Sequence, residues 1–141
     1  MRGGRVSGTR RGFDRSVGSL AEVFEFLDHS LREDEVGERC RMVLHLAVEE
    51  LFTNMVKYNS GCGREIAIEV GTRNGHAWVE LTDPDTDPFD PTAAGPVDVS
   101  GPIEERKRGG LGLHLVRSMV DDFDYQYQGR EMRVSVTTRL E

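Results

Sequence analysis

Apolar residues recur along this chain with two different periods, and each period predicts one kind of element. Spacings of three and four residues, typical of amphipathic helices, run from Ser19 to a break at 34–37 and again from about Glu38 to Asn59. Ser19 is followed three residues later by Glu22, which is the capping-box spacing of a helix start. The apolar stripe of the second helix consists of Leu44, Val48, Leu51, Phe52 and Met55. We therefore predict two amphipathic helices that bury one face each.

Strict alternation of apolar and polar residues, typical of strands with one buried face, follows the two helices. It predicts two antiparallel hairpins, the first turning at Asn74-Gly75, a type I′ turn dipeptide, and the second at Gly129. A further helical pattern covers 115–120. The predicted buried faces of the hairpins contain Ile66, Ile68, Val70, Ala77, Val79, Leu81, Met132, Val134, Val136 and Leu140. This order of helices and strands predicts an α+β fold, a two-layer α/β sandwich.

The length and the charge of the chain limit its possible domain organisation and binding partners. Its 141 residues predict a single domain, taken as residues 19–141. The formal net charge of −7 argues against a nucleic-acid or anionic-membrane surface. Residues 1–15 hold five arginines against one acid. Because a Gly/Arg-rich terminus is more often disordered than bound to phosphates or an acidic partner, residues 1–18 are predicted to form a disordered basic arm.

Targeting signals and cysteine spacing add little chemistry. The chain has no apolar run near the roughly 20 residues of a membrane span, and its N-terminus lacks the apolar core of a signal peptide. A cytoplasmic protein is therefore predicted. Cys40 and Cys62 have neither metal-ligand nor disulfide-framework spacing, so both are interpreted as reduced thiols without a chemical role.

A second line of side chains lies along the longer predicted helix, away from its apolar stripe. Glu50, Asn54 and Lys57 are spaced by four and three residues, so a carboxylate, an amide and an ammonium share one side. A solvated helix face explains many such patterns, but asparagine is a poor helix-interior residue because its amide competes with the backbone. A carboxamide oxygen can bind Mg²⁺, and a glutamate one turn away can act as a general base.

Asp83 stands at the end of the return strand of the first hairpin. Continuing the alternation from Leu81 places this carboxylate on the buried side, where it needs a partner. The alternative interpretation is a turn aspartate that starts a loop with Pro84.

The region after Asp83 contains all five prolines and has no clear period. Loops of this length are usually functional or disordered, and residues from about 84 to 110 are interpreted as a lid. The lid ends in a basic, glycine-rich turn that leads into a helix, which predicts an anion site on backbone N–H groups. That turn contains Gly109, Gly110, Leu111, Gly112 and Leu113. Glycines also simply cap and bend a chain, so the turn alone decides nothing.

Three candidate sites follow one another in the chain: Glu50 and Asn54 on a helix, Asp83 at a strand end, and the glycine-rich turn before a helix. The combination resembles the GHKL ATPase superfamily of histidine kinase-like ATPases. Within that superfamily the chain looks most like bacterial anti-sigma factor serine/threonine kinases, over about residues 20–140. The resemblance implies a Bergerat ATP-binding fold, with a mixed, largely antiparallel sheet and a lid over ATP and Mg²⁺.

The resemblance also implies a role for each candidate residue. Glu50 would activate the attacking hydroxyl or water, Asn54 would bind Mg²⁺, and Lys57 would approach the phosphates. Asp83 would accept a hydrogen bond from the adenine amino group. The ATP phosphates would be bound by the turn that contains Gly109, Gly110, Leu111, Gly112 and Leu113.

Two positions depart from the family pattern. The first glycine box normally reads D-x-G-x-x-F-D, but Asp85 stands where the glycine belongs and one extra residue precedes Phe89. Arg133 stands on the last hairpin where relatives usually carry threonine near the adenine. Both departures predict an altered adenine pocket and lowered nucleotide affinity.

Three functions are compatible with these patterns to different degrees. The leading hypothesis is a kinase that phosphorylates a serine of an anti-anti-sigma (STAS-domain) protein and sequesters a sigma factor. It implies no direct nucleic-acid or membrane contact, and it leaves a homodimer open. The alternative is a non-catalytic partner-binding module with a degenerate nucleotide site. A histidine-kinase-like phosphotransferase is disfavoured because no proline follows His29, and the other histidines, His45, His76 and His114, are isolated.

Overall fold

The computed structural model describes residues 7–59, 61–87 and 111–140. The strands are β1 (Ser7–Phe13), β2 (Ile66–Arg73), β3 (His76–Asp83), β4 (Asp122–Gln128) and β5 (Glu131–Arg139). The helices are α1 (Leu20–Glu33), α2 (Glu38–Tyr58) and α3 (Leu111–Met119), and a 3₁₀ turn covers Val17–Ser19. The predicted helices and hairpins are all present in the predicted order.

The five strands form one open sheet in the order β1-β2-β3-β5-β4. All four pairings of the described strands are antiparallel, so the parallel pairing that a mixed sheet would have is not among them. α1 and α2 pack against the sheet, and α3 packs beside α2. The predicted α+β, two-layer sandwich is confirmed.

One hydrophobic core lies between the helical layer and the sheet. The predicted stripe of α2 is buried along its whole length, and Leu44, Val48 and Phe52 are completely enclosed. The sheet residues that meet this stripe include those predicted by alternation: Ile66, Ile68, Val70, Ala77, Val79, Leu81, Met132, Val134 and Val136. Each large apolar side chain removed from water contributes roughly 1.5–3 kcal/mol. This shared core therefore fixes the position of α2 over the sheet.

The predicted disorder of residues 1–18 is wrong for the part of the arm that the structure describes. β1 pairs with β2 along its whole length as the edge strand of the sheet, so the backbone N–H and C=O groups that face β2 have partners. Phe13 is 1% exposed and contacts the ring of Phe26, with centroids 5.5 Å apart. The guanidinium of Arg11 lies over the Phe13 ring at 4.8 Å. An open sheet edge and one apolar anchor order a segment whose composition predicts disorder; residues 1–6 lie outside the described ranges.

The predicted capping box at Ser19 does not form. Ser19 has a helical conformation, and its hydroxyl donates to the backbone carbonyl of Asp14 at 2.9 Å. The cap belongs to the 3₁₀ turn instead, where Ser16 Oγ accepts from the backbone N–H of Gly18 at 3.1 Å. Because the turn leads directly into α1, it supplies local hydrogen bonds at the point where a side-chain cap was expected.

The first hairpin turn has the predicted type I′ character, since Asn74 and Gly75 both have positive φ angles, 54° and 81°. Cys40 and Cys62 are free thiols, as predicted. Of the predicted lid, only residues 84–87 belong to the described ranges. No helix in the described parts of the chain is long and apolar enough to cross a membrane.

Candidate functional site

A cleft lies between α2, the start of α3, the end of β3 and the first half of β5. Its lining residues are Leu51, Asn54, Met55, Tyr58, Asp83, Thr86, Leu113, Met132 and Val134. Three predicted site residues, Asn54, Asp83 and Leu113, therefore meet at one cavity. The cleft spans about 330 Å³ with its open mouth, but the enclosed space is about 20 Å³, on the scale of about one water molecule. The enclosed part of the cleft is therefore smaller than a purine.

Asn54 lies in the cleft with an unsatisfied amide. The residue is 7% exposed, and its Nδ2 has no hydrogen-bond partner among the described residues. Leaving a buried donor unpaired costs roughly 1–3 kcal/mol, and a bound polar group would recover that interaction. Rotation of the amide by 180° exchanges nitrogen and oxygen, so the same position can present an oxygen ligand. The surroundings of Asn54 therefore fit a bound polar ligand or a metal ion.

Glu50 lies one helical turn before Asn54 on α2, with Cβ atoms about 5–6 Å apart by helix geometry. Burial raises the pKa of Glu50, and the neighbouring Glu49 raises it further, while Lys57 acts in the opposite direction. A carboxylate with a raised pKa is a better proton acceptor, which is the property a general base needs. Lys57 itself is exposed, and its contact with phosphates stays a prediction.

Asp83 is buried at the end of β3, as the alternation predicted, and is only 1% exposed. Its Oδ1 accepts hydrogen bonds from Arg15 Nη2 at 2.7 Å and from Asn59 Nδ2 at 3.2 Å. A buried carboxylate is tolerated only with charge and hydrogen-bond partners. Both donors therefore belong to the site.

Arg15 is a site residue that the sequence did not predict. Its side chain is 4% exposed, and its guanidinium also donates to the backbone carbonyls of Met55 at 3.2 Å and Arg64 at 3.3 Å. One signal was available, because a buried Asp83 requires a cation and the five arginines of the arm had no assigned partner. The expectation of disorder hid this pairing.

The turn after β3 resolves the first departure from the family pattern. Asp85 has a φ of 57°, the left-handed conformation in which glycine is usually found. The hydrogen bond from Arg130, at 2.8 Å, and then its charge lower the pKa of Asp85. The Asn59 amide donates to the Asp85 carbonyl at 3.0 Å. The aspartate thus adopts the backbone conformation expected of the glycine it replaces.

The second departure, Arg133, does not reach the cleft. Its side chain is 51% exposed and pairs with Glu131 at 3.2 Å. Met132 and Val134 line the cleft, and successive side chains of a strand point to opposite faces. Arg133 therefore lies on the other face of the sheet, and the prediction that it alters the adenine pocket is wrong.

The glycine-rich turn is described only in part. Gly109 and Gly110 lie outside the described ranges, and Leu111 and Gly112 are the first residues of α3. Leu113 is 1% exposed, lines the cleft and packs in the core. The anion site predicted for this turn stays a prediction.

Comparison with known proteins identifies relatives of the whole domain. The family described as Histidine kinase-like ATPase domain matches residues 13–138. Serine/threonine-protein kinase BtrW of Bordetella bronchiseptica is 28% identical over 109 residues, which are 77% of this chain and 77% of BtrW. Serine-protein kinase RsbW of Bacillus cereus is 31% identical over 90 residues, which are 60% of this chain and 55% of RsbW.

Two solved structures share the fold. The RsbU and RsbW domains of Rv1364c from Mycobacterium tuberculosis align with 94% of this chain and 32% of that chain, at 12% identity and a TM-score of 0.67. The SiaB-SiaC complex from Pseudomonas aeruginosa aligns with 92% of this chain and 87% of that chain, at 17% identity and a TM-score of 0.59. With its fold and nearly its whole length matched, the chain belongs to the histidine kinase-like ATPase domain family, within the GHKL superfamily.

Proposed function

We propose that this protein is a cytoplasmic, Mg²⁺- and ATP-dependent serine/threonine kinase that phosphorylates an anti-anti-sigma (STAS-domain) protein and sequesters a sigma factor. The observation that carries the proposal is that the unsatisfied amide of Asn54 and the buried carboxylate of Asp83 line one cleft. Family membership supports ATP as the nucleotide. BtrW and RsbW are named as serine/threonine-protein and serine-protein kinases, respectively, which supports phosphate transfer to a hydroxyl as the reaction type.

Nucleotide binding is divided between the two polar residues of the cleft. Asp83 accepts a hydrogen bond from the adenine amino group at the buried end. Asn54 provides the protein oxygen for Mg²⁺, which usually completes its shell with phosphate and water. Lys57 and residues 109–113 contact the phosphates.

Glu50 carries out the proton transfer. It accepts the proton of the substrate serine hydroxyl, whose oxygen forms the new bond to phosphorus while the bond to ADP breaks. Held by Asn54, a bound Mg²⁺-ATP would supply the phosphoryl group and would neutralise the charge that develops during transfer. Burial is the main cause of the raised pKa of Glu50. The shift brings the pKa of this base closer to neutral pH, where a general base is most effective.

Partner binding is proposed from the relatives. One solved neighbour is a complex between SiaB and SiaC, and another contains an RsbW domain joined in one chain to an RsbU domain. The complex supports the proposal that a domain of this fold binds another protein, and the fused domains support an association with a regulatory domain. The sigma factor and the STAS-domain protein are the partners proposed for this chain.

Calorimetric titration with ADP, with and without Mg²⁺, tests the nucleotide site. We expect magnesium-dependent binding in the wild type and its loss in Asn54→Ala. Gln126→Ala removes an exposed amide on β4 and should bind as the wild type does. No binding at millimolar ADP, or full magnesium-dependent binding by Asn54→Ala, would contradict the proposal.

Phosphate transfer to a purified STAS-domain partner tests the base. Glu50→Gln should retain ADP binding but lose roughly 10²- to 10⁴-fold in transfer rate, the usual contribution of a general base. Glu38 is exposed in the first turn of the same helix, so Glu38→Gln is a matched control. Equal loss in both variants would argue against a specific role for Glu50.

A second candidate function is a non-catalytic module that binds its protein partner without nucleotide. The observation that favours it is the small enclosed space of about 20 Å³ in the cleft. This reading predicts that partner binding is unchanged by ADP, by Mg²⁺ or by Asn54→Ala. A nucleotide-dependent change in partner affinity would exclude it.

A further inference from the structure

We propose that Arg15 is a positioning residue that fixes the Asp83 carboxylate as a hydrogen-bond acceptor and thereby sets the preference of the cleft for a purine with an exocyclic amino group. The inference deepens the proposed function and rests on it. It starts from the ion pair between Arg15 Nη2 and Asp83 Oδ1 at 2.7 Å, in which the two side chains are 4% and 1% exposed.

The guanidinium is held in place from three directions. Its three nitrogens donate to Asp83 Oδ1, to the last turn of α2 at the Met55 carbonyl, and to the Arg64 carbonyl before β2. Lysine has a single ammonium on a flexible stem and cannot reproduce this planar fork. Arg15 therefore joins the arm to α2 and to the end of β3 at a single point.

Arg15 approaches Asp83 from behind the cleft rather than through it. Asp83 lines the cleft, whereas Arg15 is absent from the described lining residues. Among the described residues, Arg15 and Asn59 both bond to the same oxygen, Oδ1, which fixes the carboxylate; we infer that Oδ2 is the oxygen that faces a ligand. Arg15 thus does not compete with a ligand for the cleft.

The charge of this carboxylate decides what it can recognise. An ionised carboxylate only accepts hydrogen bonds, whereas a protonated one also donates. A guanidinium has only hydrogen-bond donors, so the bond from Arg15 Nη2 requires an accepting oxygen on Asp83. Paired with Arg15, Asp83 accepts from an amino group, as at position 6 of adenine, and repels the carbonyl oxygen found there in hypoxanthine. Without Arg15 this discrimination should be lost.

Comparative titration with ADP and IDP, both with Mg²⁺, tests the inference. The wild type should bind ADP at least about tenfold more tightly than IDP, and Arg15→Met should bring the ratio close to one. Arg10→Met is a matched control, because Arg10 belongs to the same arm but pairs with Glu69 on the exposed sheet surface at 3.7 Å. This variant should keep the wild-type ratio. Arg15→Lys should give an intermediate ratio.

A double variant separates positioning from general loss of structure. Asp83→Asn should itself lower the ratio of ADP to IDP affinity, because an amide can donate to a carbonyl. Adding Arg15→Met to Asp83→Asn should then leave the ratio unchanged, since no carboxylate remains to be held. A change of the ratio in that background would overturn the inference, as would a wild-type ratio in folded Arg15→Met.

The failure of the inference is distinguishable from that of the proposed function. A wild-type protein that binds neither ADP nor IDP would refute both the role of Arg15 and the proposed kinase function. A wild type that binds ADP with magnesium dependence, together with an Arg15→Lys variant that keeps the full ratio, leaves the kinase proposal in place and removes the role of Arg15. The lysine and double variants keep the test decisive even when Arg15→Met alone does not fold.

Discussion

Replacing Arg15 by methionine should destabilise the fold more than any exposed charge change. The variant leaves Asp83, 1% exposed, without its cation, and removing one partner of a buried pair costs about 3–5 kcal/mol. At about 4 °C per kcal/mol for a domain of this length, this lowers the melting temperature by roughly 12–20 °C. An unpaired buried carboxylate, rather than the lost contact, supplies most of this cost.

Urea denaturation followed by circular dichroism gives the free energy of unfolding of each variant. Arg10→Met breaks an exposed pair with Glu69 and should stay within about 1 kcal/mol of the wild type. Asp83→Asn combined with Arg15→Met should cost less than the sum of the single variants, because the residues are in contact. An Arg15→Met variant within about 1 kcal/mol of the wild type would refute the buried ion pair as a determinant of stability.

Three further predictions concern the base, the turn and the arm. Burial raises the pKa of Glu50 above its ordinary value of 4.5. The stability that Glu50 contributes is therefore present below pH 4.5 and is lost as the pH rises through the pKa of the folded state. Glu50→Gln should accordingly have a higher melting temperature than the wild type at about pH 7 and the same melting temperature at about pH 4. Asp85→Ala and Asp85→Gly both lose the pair with Arg130, but at a φ of 57° alanine should be about 1 kcal/mol less stable than glycine by urea denaturation. Phe13→Ala should cost about 3–5 kcal/mol by the same assay, and a cost below about 1 kcal/mol would mean that β1 does not anchor the core.

The periodic part of the fold could be predicted because it depends on neighbours in the chain. Three features depend on residues a few positions apart: the stripe of α2, the alternation of β2 and β3, and the Asn74-Gly75 turn. All three are confirmed. The burial of Asp83 follows from the same alternation.

Arg133 shows that part of a wrong prediction could have been avoided. Alternation places Met132 and Val134 on the buried face of the last hairpin, and a strand alternates its faces with a period of two. The residue between them must therefore face away, as observed.

The sequence by itself determined the helices, the two hairpins, the two-layer fold and the order of the site residues, because periodicity and turn chemistry act over short distances. Only the tertiary structure decided that the arm is a strand and that Arg15 pairs with Asp83, 68 residues away along the chain. Composition cannot predict this, because an open sheet edge and a buried carboxylate exist only after the rest of the chain has folded. Those two features give a Gly/Arg-rich segment the partners that its own sequence lacks.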